Sequence, residues 1–179
     1  YFGALYAPFR TPDAFLDLLD ATFEERPGLK SRLEVHFYGE VFPEFYDRLR
    51  ALEAIQLHGL RSRAEIREAM QSMDILLNIG NTTDYQLPSK SVEYLAAGIP
   101  IVNLSYTEED PFAAFLKGNP LMLNLKVQDG KVRAGELRRW LEWLEEGKKT
   151  TGEVEIRDRV KPYRVEAIAR QYLTLLNPG

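Results

Sequence analysis

Two basic residues and one acidic residue stand where they could do chemistry together: Arg10, Lys90 and Glu93. Lys90 and Glu93 lie three positions apart within residues 86–104, QLPSKSVEYLAAGIPIVNL. Pro88 suits the first turn of a helix, where its missing N–H loses nothing. Val92, Leu95 and Ala96 repeat at helical spacing, Gly98 sits where a left-handed cap ends a helix, and Pro100 stops it from resuming. A short β-branched strand then follows at residues 101–104. A helix start presents free N–H groups and the positive end of its dipole, so it favours an anion, and Lys90 adds to that preference. Glu93, with two acceptor oxygens, is able to receive both hydroxyls of a ribose.

The elements that must position these residues follow from the patterning. Apolar strand-like runs at residues 1–5, 33–38, 55–58, 74–79, 100–104 and 121–127 alternate with helical patterns. The helices begin near Thr11 or Asp13, span 42–53, open at Ser62 with Glu65 as a capping box, begin again at Pro88, and continue at 110–117 and 133–146. Residues 147–155 read as a polar linker, and residues 155–179 as a peripheral helix. Strand–helix alternation predicts an α/β fold: a Rossmann-like doubly wound parallel sheet of about six strands with helices on both faces. Its ligand crevice lies beyond the carboxyl ends of the strands, where the strand order reverses. In the order 3-2-1-4-5-6, residues 6–11 and 80–89 overhang that crevice, bringing Arg10 and Lys90 to one place. Two cations beside a helix start fit a diphosphate better than a lone sugar or base.

Composition narrows the classes. With 179 residues, 45% apolar and 28% charged, the chain has the balance of a soluble globular domain. A formal charge of −4 argues against nucleic acid as a partner. The chain has no cysteine, which excludes disulfides and thiolate metal sites and makes a reducing cytoplasm the expected location. No apolar run reaches the ~18 residues of a membrane span, so membrane association would be peripheral. The chain opens directly on the strand-like YFGAL, as a piece of a longer protein would.

With these residues in place, the chain resembles the C-terminal, donor-binding domain of a GT-B glycosyltransferase, in the large retaining group (glycosyl transferase group 1, GT4-like) that includes sucrose and mannosyl transferases. The match is organisational over residues 1–144 and specific in PSKSVEYLAAGIPIV. The resemblance implies a single nucleotide-sugar-binding domain over residues 1–179, with the acceptor domain outside this chain as its partner. Such a fragment would bind a nucleoside-diphosphate sugar without turning it over. The resemblance implies ribose binding by Glu93, diphosphate binding by Arg10, Ser89 and Lys90, and base binding around Tyr38, Gly39, His58, Leu60 and Arg61. It implies no cofactor and no metal, the nucleotide sugar being the substrate, and a role in cell-surface glycan synthesis. The chain departs from the family pattern twice. Tyr85 stands where the first of two glutamates reaches the donor sugar, leaving Asp84, Tyr85 and Gln86 as the sugar contacts, and Ala4 stands where an arginine often follows the first glycine.

Plainer roles stand beside these. Glu93 also fits an ordinary first-turn glutamate, Lys90 a solvated charge, and Arg10 a partner of Asp13. His36 reads as structural, while His58 ends a strand beside the crevice and is the sole candidate base if the chain were half of a sugar-nucleotide epimerase. A nucleotide-binding scaffold module that has lost its sugar contact is a further alternative. Gly3, Gly39, Gly59 and Gly80 do not form a Gly-x-Gly-x-x-Gly loop, which weakens a nicotinamide reading.

Overall fold

Leu76, Leu77, Asn78 and Ile79 are buried without exception, as strand residues covered on both faces must be. They form β3 (Leu76–Ile79), which pairs in parallel with β4 (Ile101–Ser105), itself parallel to β5 (Met122–Gln128). A two-residue strand, β6 (Lys131–Val132), closes this sheet antiparallel to β5 through the Asp129-Gly130 turn. Both turn residues have positive φ, 51° and 74°, the signature that Asp-Gly supplies. A second sheet pairs β1 (Val35–Tyr38) in parallel with β2 (Ile55–Gly59). This is a computed structural model, and it describes residues 1–147 and 152–176.

The expected single six-stranded sheet is therefore two hydrogen-bonded sheets, of two and four strands. The neighbour order still follows the expectation. Residues 1–5 run parallel to β1, but only through isolated bridges, Phe2 to Tyr38 and Leu5 to Val41. Between this segment and β3 there is no main-chain ladder among the described residues. The Tyr94 hydroxyl fills that place, accepting from the Phe2 N–H at 3.2 Å and donating to the Leu77 carbonyl at 3.0 Å.

Helices cover both faces of the larger sheet. On one face α1 (Asp13–Glu25) and α6 (Glu136–Glu145) pack over Leu77, Ile79, Val102, Leu104, Leu123 and Leu125. Trp140 of α6 donates its indole N–H to Thr22 of α1 at 2.9 Å, so a buried polar atom on each helix is satisfied. On the other face α3 (Arg63–Ser72), α4 (Ser91–Ala97) and α5 (Pro111–Phe115) meet Leu76 and Ile101 through Met70, Tyr94, Leu95 and Phe112. The Ser62–Glu65 capping box opens α3 as the sequence implies.

Three helical expectations need correction. The helix expected over 42–53 is a 3₁₀ turn at Pro43–Phe45 followed by a short α2 (Tyr46–Arg50). α4 starts at Ser91, and Pro88 sits in the turn before it, its carbonyl accepting from the Ser91 hydroxyl at 2.5 Å. The buried side of α4 is Ser91, Tyr94 and Leu95, one position round from the predicted stripe, so Ala96 is exposed. The linker and single last helix become α7 (Glu153–Val160) and α8 (Val165–Leu176), with residues 148–151 and 177–179 outside the described residues. α7 packs on the end of α4: a Cβ on Gly98, whose φ is +63°, would lie 2.2 Å from Cδ1 of Ile156.

Candidate functional site at the crossover

The loops at the carboxyl ends of the strands enclose two adjoining cavities. The larger, about 580 Å³, is lined by residues after the first segment, β1 and β2 and along α3 and α4, among them Tyr38, Gly39, Leu60, Arg61, Lys90 and Glu93. The smaller, about 270 Å³, is lined by Arg10, Asn78, Gln86, Ser89, Lys90 and Tyr94 together with residues 1–4. Gly3, Ala4 and Lys90 line both. Gly39 is fixed in type by this approach of chains. Its φ is +126°, and a Cβ there would lie 2.1 Å from the Gly3 carbonyl oxygen.

Lys90 stands at the junction, immediately before α4, and its Nζ is 3.0 Å from Glu93 Oε2. The glutamate side chain is 58% exposed and the lysine 33%, so the pair is worth only a few tenths of a kcal/mol to the fold. Among the described residues Arg10 has no carboxylate partner. Asp13 is taken by Arg48, and Arg10 instead gives Nε and Nη2 to Asn81 Oδ1 at 3.0 and 2.7 Å. An antiparallel pair of main-chain bonds between Tyr6 and Arg10, both 2.9 Å, closes its loop, and the Thr82 N–H reaches the Phe9 carbonyl at 3.2 Å. Among the described residues no aspartate or glutamate lines the smaller cavity, while Arg10 and Lys90 do. Burial pushes the Tyr1 phenol up to about 12, against the opposing pull of Arg10, and raises that of Tyr94 well above the ordinary phenol value. Neither phenol supplies a countercharge near neutral pH.

Tyr38, in the wall of the larger cavity, belongs to a stack of rings. Phe2 lies over Tyr38 with centroids 4.9 Å apart, and Tyr38 over His58 at 4.2 Å with planes 6° apart. His58 in turn stacks on His36, with its Nε2 2.9 Å from His36 Nδ1. Burial, then the charges of His36 and Arg61, hold the His58 pKa below the usual imidazole value.

The predicted base residues Tyr38, Gly39, Leu60 and Arg61 thus line one cavity, with the predicted ribose residue Glu93. His58 lines neither cavity and stacks on Tyr38. Arg10, Ser89 and Lys90 line the smaller cavity together. Of the three sugar candidates only Gln86 lines it, while Asp84 and Tyr85 line neither, Tyr85 being 82% exposed. Among the described residues no cluster of three or more His, Asp or Glu is arranged to hold a metal ion.

No protein-family model matches the chain, and no curated protein sequence does. The likeness is structural. The chain superposes on S. aureus TarM, in a complex containing UDP, with a TM-score of 0.66 and 14% identity over 98% of its length. On Anabaena HepE in complex with UDP the values are 0.64, 14% and 98%, and on WaaG, a glycosyltransferase of lipopolysaccharide biosynthesis, 0.58, 13% and 99%. These neighbours are GT-B glycosyltransferases. The chain has a glycosyltransferase-like fold. It spans 35% of the TarM chain, 48% of HepE and 47% of WaaG.

Within this glycosyltransferase-like fold, several site residues escape sequence inspection. Asn81 and Asn78 sit in a polar loop and a buried strand, with nothing in their spacing to mark them. Tyr94 reads as one more aromatic on a helix. Arg63 and Arg67, one turn apart on α3, also line the larger cavity, and their i,i+4 spacing just after the β2 turn is a signal that could have found them.

Proposed function

We propose that this chain is the donor-binding half of a glycosyltransferase, holding a nucleoside-diphosphate sugar across the two cavities. One observation carries the proposal: Lys90 is shared by a cavity lined by Tyr38 and Glu93 and a smaller one lined by Arg10 and, among the described residues, by no carboxylate. The nucleoside belongs in the larger, its base on the Tyr38 and Gly39 side and its ribose hydroxyls on Glu93, and the diphosphate bridges to the smaller beside Arg10, Ser89 and Lys90. The likeness to structures crystallised with UDP supports the same assignment. The acceptor and its catalytic groups belong to an N-terminal domain outside this chain. The fragment alone binds donor without transferring sugar, and the whole enzyme works in the cytoplasm on a cell-surface glycan. No described helix is long and apolar enough to cross a membrane.

Calorimetric titration with UDP, GDP and ADP tests this. One diphosphate binds in preference to the others, and Glu93→Ala abolishes the binding with little change in melting temperature. Equal, negligible heats for all three would sink the proposal, and a large loss of stability in the variant would make Glu93 structural.

A second reading, a nucleotide-binding scaffold without a sugar contact, draws on Asp84 and Tyr85 lining neither cavity. It requires that attached sugars leave affinity unchanged. His58 lines neither cavity, so nothing in the geometry favours an epimerase half.

A further inference from the structure

The two carboxamides that line the smaller cavity, Asn78 and Gln86, are each oriented by a chain of hydrogen bonds whose direction is dictated at its far end. A guanidinium only donates, so Arg10 obliges Asn81 to turn its Oδ1 toward it. The Asn81 Nδ2 then faces the other way and donates to Gln86 Oε1 at 3.2 Å. Gln86 lines the cavity, its oxygen accepts from Asn81, and its N–H donors have no partner among the described residues. Arg10 itself has five N–H donors, of which Asn81 takes two and the Tyr1 hydroxyl is a further partner, which leaves the others for a ligand.

The second chain begins at a carboxylate. Asp110, 3% exposed, caps α5 by accepting from the Ala113 N–H at 2.7 Å and also accepts from Asn103 Nδ2 at 3.3 Å. A carboxylate only accepts, which turns Asn103 Nδ2 toward Asp110 and Asn124 and leaves Asn103 Oδ1 to receive Asn78 Nδ2 at 2.7 Å. Asn78 is 6% exposed, and its remaining atom, Oδ1, is an acceptor with no protein partner at the cavity wall. A nearly buried polar atom left open toward a cavity is a site for a ligand group.

We infer that the smaller cavity is a sugar subsite of fixed polarity, with Asn78 accepting from a sugar hydroxyl and Gln86 with Arg10 donating to a carboxylate, so that the donor is a nucleoside-diphosphate hexuronate. This rests on the donor-site proposal above. A neutral hexose satisfies the Asn78 acceptor but leaves the Gln86 and Arg10 donors facing groups that bind them more weakly than a carboxylate does. Asn81 is a positioning residue: it touches no ligand and sets the direction in which Gln86 points.

The test is the ratio of affinities for paired donors, measured by calorimetry on this chain: UDP-glucose against UDP-glucuronate, and GDP-mannose against GDP-mannuronate, with UDP and GDP alone as references. The hexuronate of the preferred base binds roughly tenfold tighter or more, the effect of about one charge-assisted hydrogen bond. Gln86→Glu, at an exposed side chain that folding does not need, removes that preference by presenting an acceptor. Asn81→Asp also removes it, because a carboxylate there neutralises Arg10 and turns Gln86 over; it weakens the bare diphosphate as well, so the readout is the ratio of hexuronate to hexose affinity. Equal affinities for hexose and hexuronate, or a preference that survives Gln86→Glu, overturns this inference alone. Failure of both bare diphosphates to bind overturns the donor-site proposal and this inference with it.

Discussion

The hydroxyl of Tyr94 lies 3.2 Å from the main-chain nitrogen of Phe2, at the place where the two sheets would otherwise exchange ladder hydrogen bonds. By also donating to Leu77 at 3.0 Å, it joins the first segment to β3 and so fixes the floor of the smaller cavity. Tyr94→Phe keeps the ring and removes both bonds, leaving a buried N–H and a buried carbonyl unpaired. The expected loss is about 2 kcal/mol in urea unfolding, and a variant as stable as the parent would show the seam held by packing alone.

Lys90 and Glu93 separate stability from binding. Their exposed pair contributes under about 0.5 kcal/mol, so Lys90→Ala leaves the unfolding midpoint almost unmoved. Diphosphate affinity falls by roughly tenfold or more, most steeply at low salt, because a charge facing the phosphates is lost. Titrations at two ionic strengths check both halves of the expectation.

The ring stack should make stability sensitive to pH. His58 is held below its ordinary pKa, so as pH falls the unfolded chain takes up a proton before the folded one does. The contribution is whole above about pH 6.5 and is lost progressively below it, until the folded state's own lower pKa is reached. Thermal melts from about pH 7.5 to about 5 therefore show a decline that is shallower in His58→Phe. Equal slopes in the two proteins would mean that other groups govern it.

Gly98 couples α4 to α7. Gly98→Ala incurs about 1–2 kcal/mol for a left-handed alanine, and in addition drives its methyl into Ile156. In an Ile156→Ala background only the backbone part remains, and the double-mutant cycle gives a coupling of about 1 kcal/mol. A coupling of zero would mean that α7 gives way freely.

Much of this was legible from residue types alone. Gly98 with Pro100 marked the end of α4, the Ser62–Glu65 pair marked the start of α3, and the apolar runs marked β3, β4 and β5 in their observed order. Tyr1–Leu5 looked like a full strand because apolar pattern reports burial, while ladder formation depends on a neighbour, and here a tyrosine hydroxyl occupies that place. β6 was signalled by Asp129-Gly130 but has too few residues to show a period. Arg10, Lys90 and Glu93 were findable because charge is conspicuous. Asn81, which aims Gln86, was not, because a neutral amide in a polar loop carries no pattern until its partners are placed.

The three asparagines of β3, β4 and β5 stand directly opposite one another in register, Asn78 to Asn103 to Asn124, flanked on each strand by apolar residues. Leucines and isoleucines would tolerate slippage by two residues, since that keeps each side chain on its own face. Amides would not: the same slip of β3 sets Asn103 against Leu76 and leaves its Oδ1 without the Asn78 donor. The row therefore acts as an alignment peg during assembly, admitting one pairing of three greasy and nearly interchangeable strands, and with it one shape for the mouth they support.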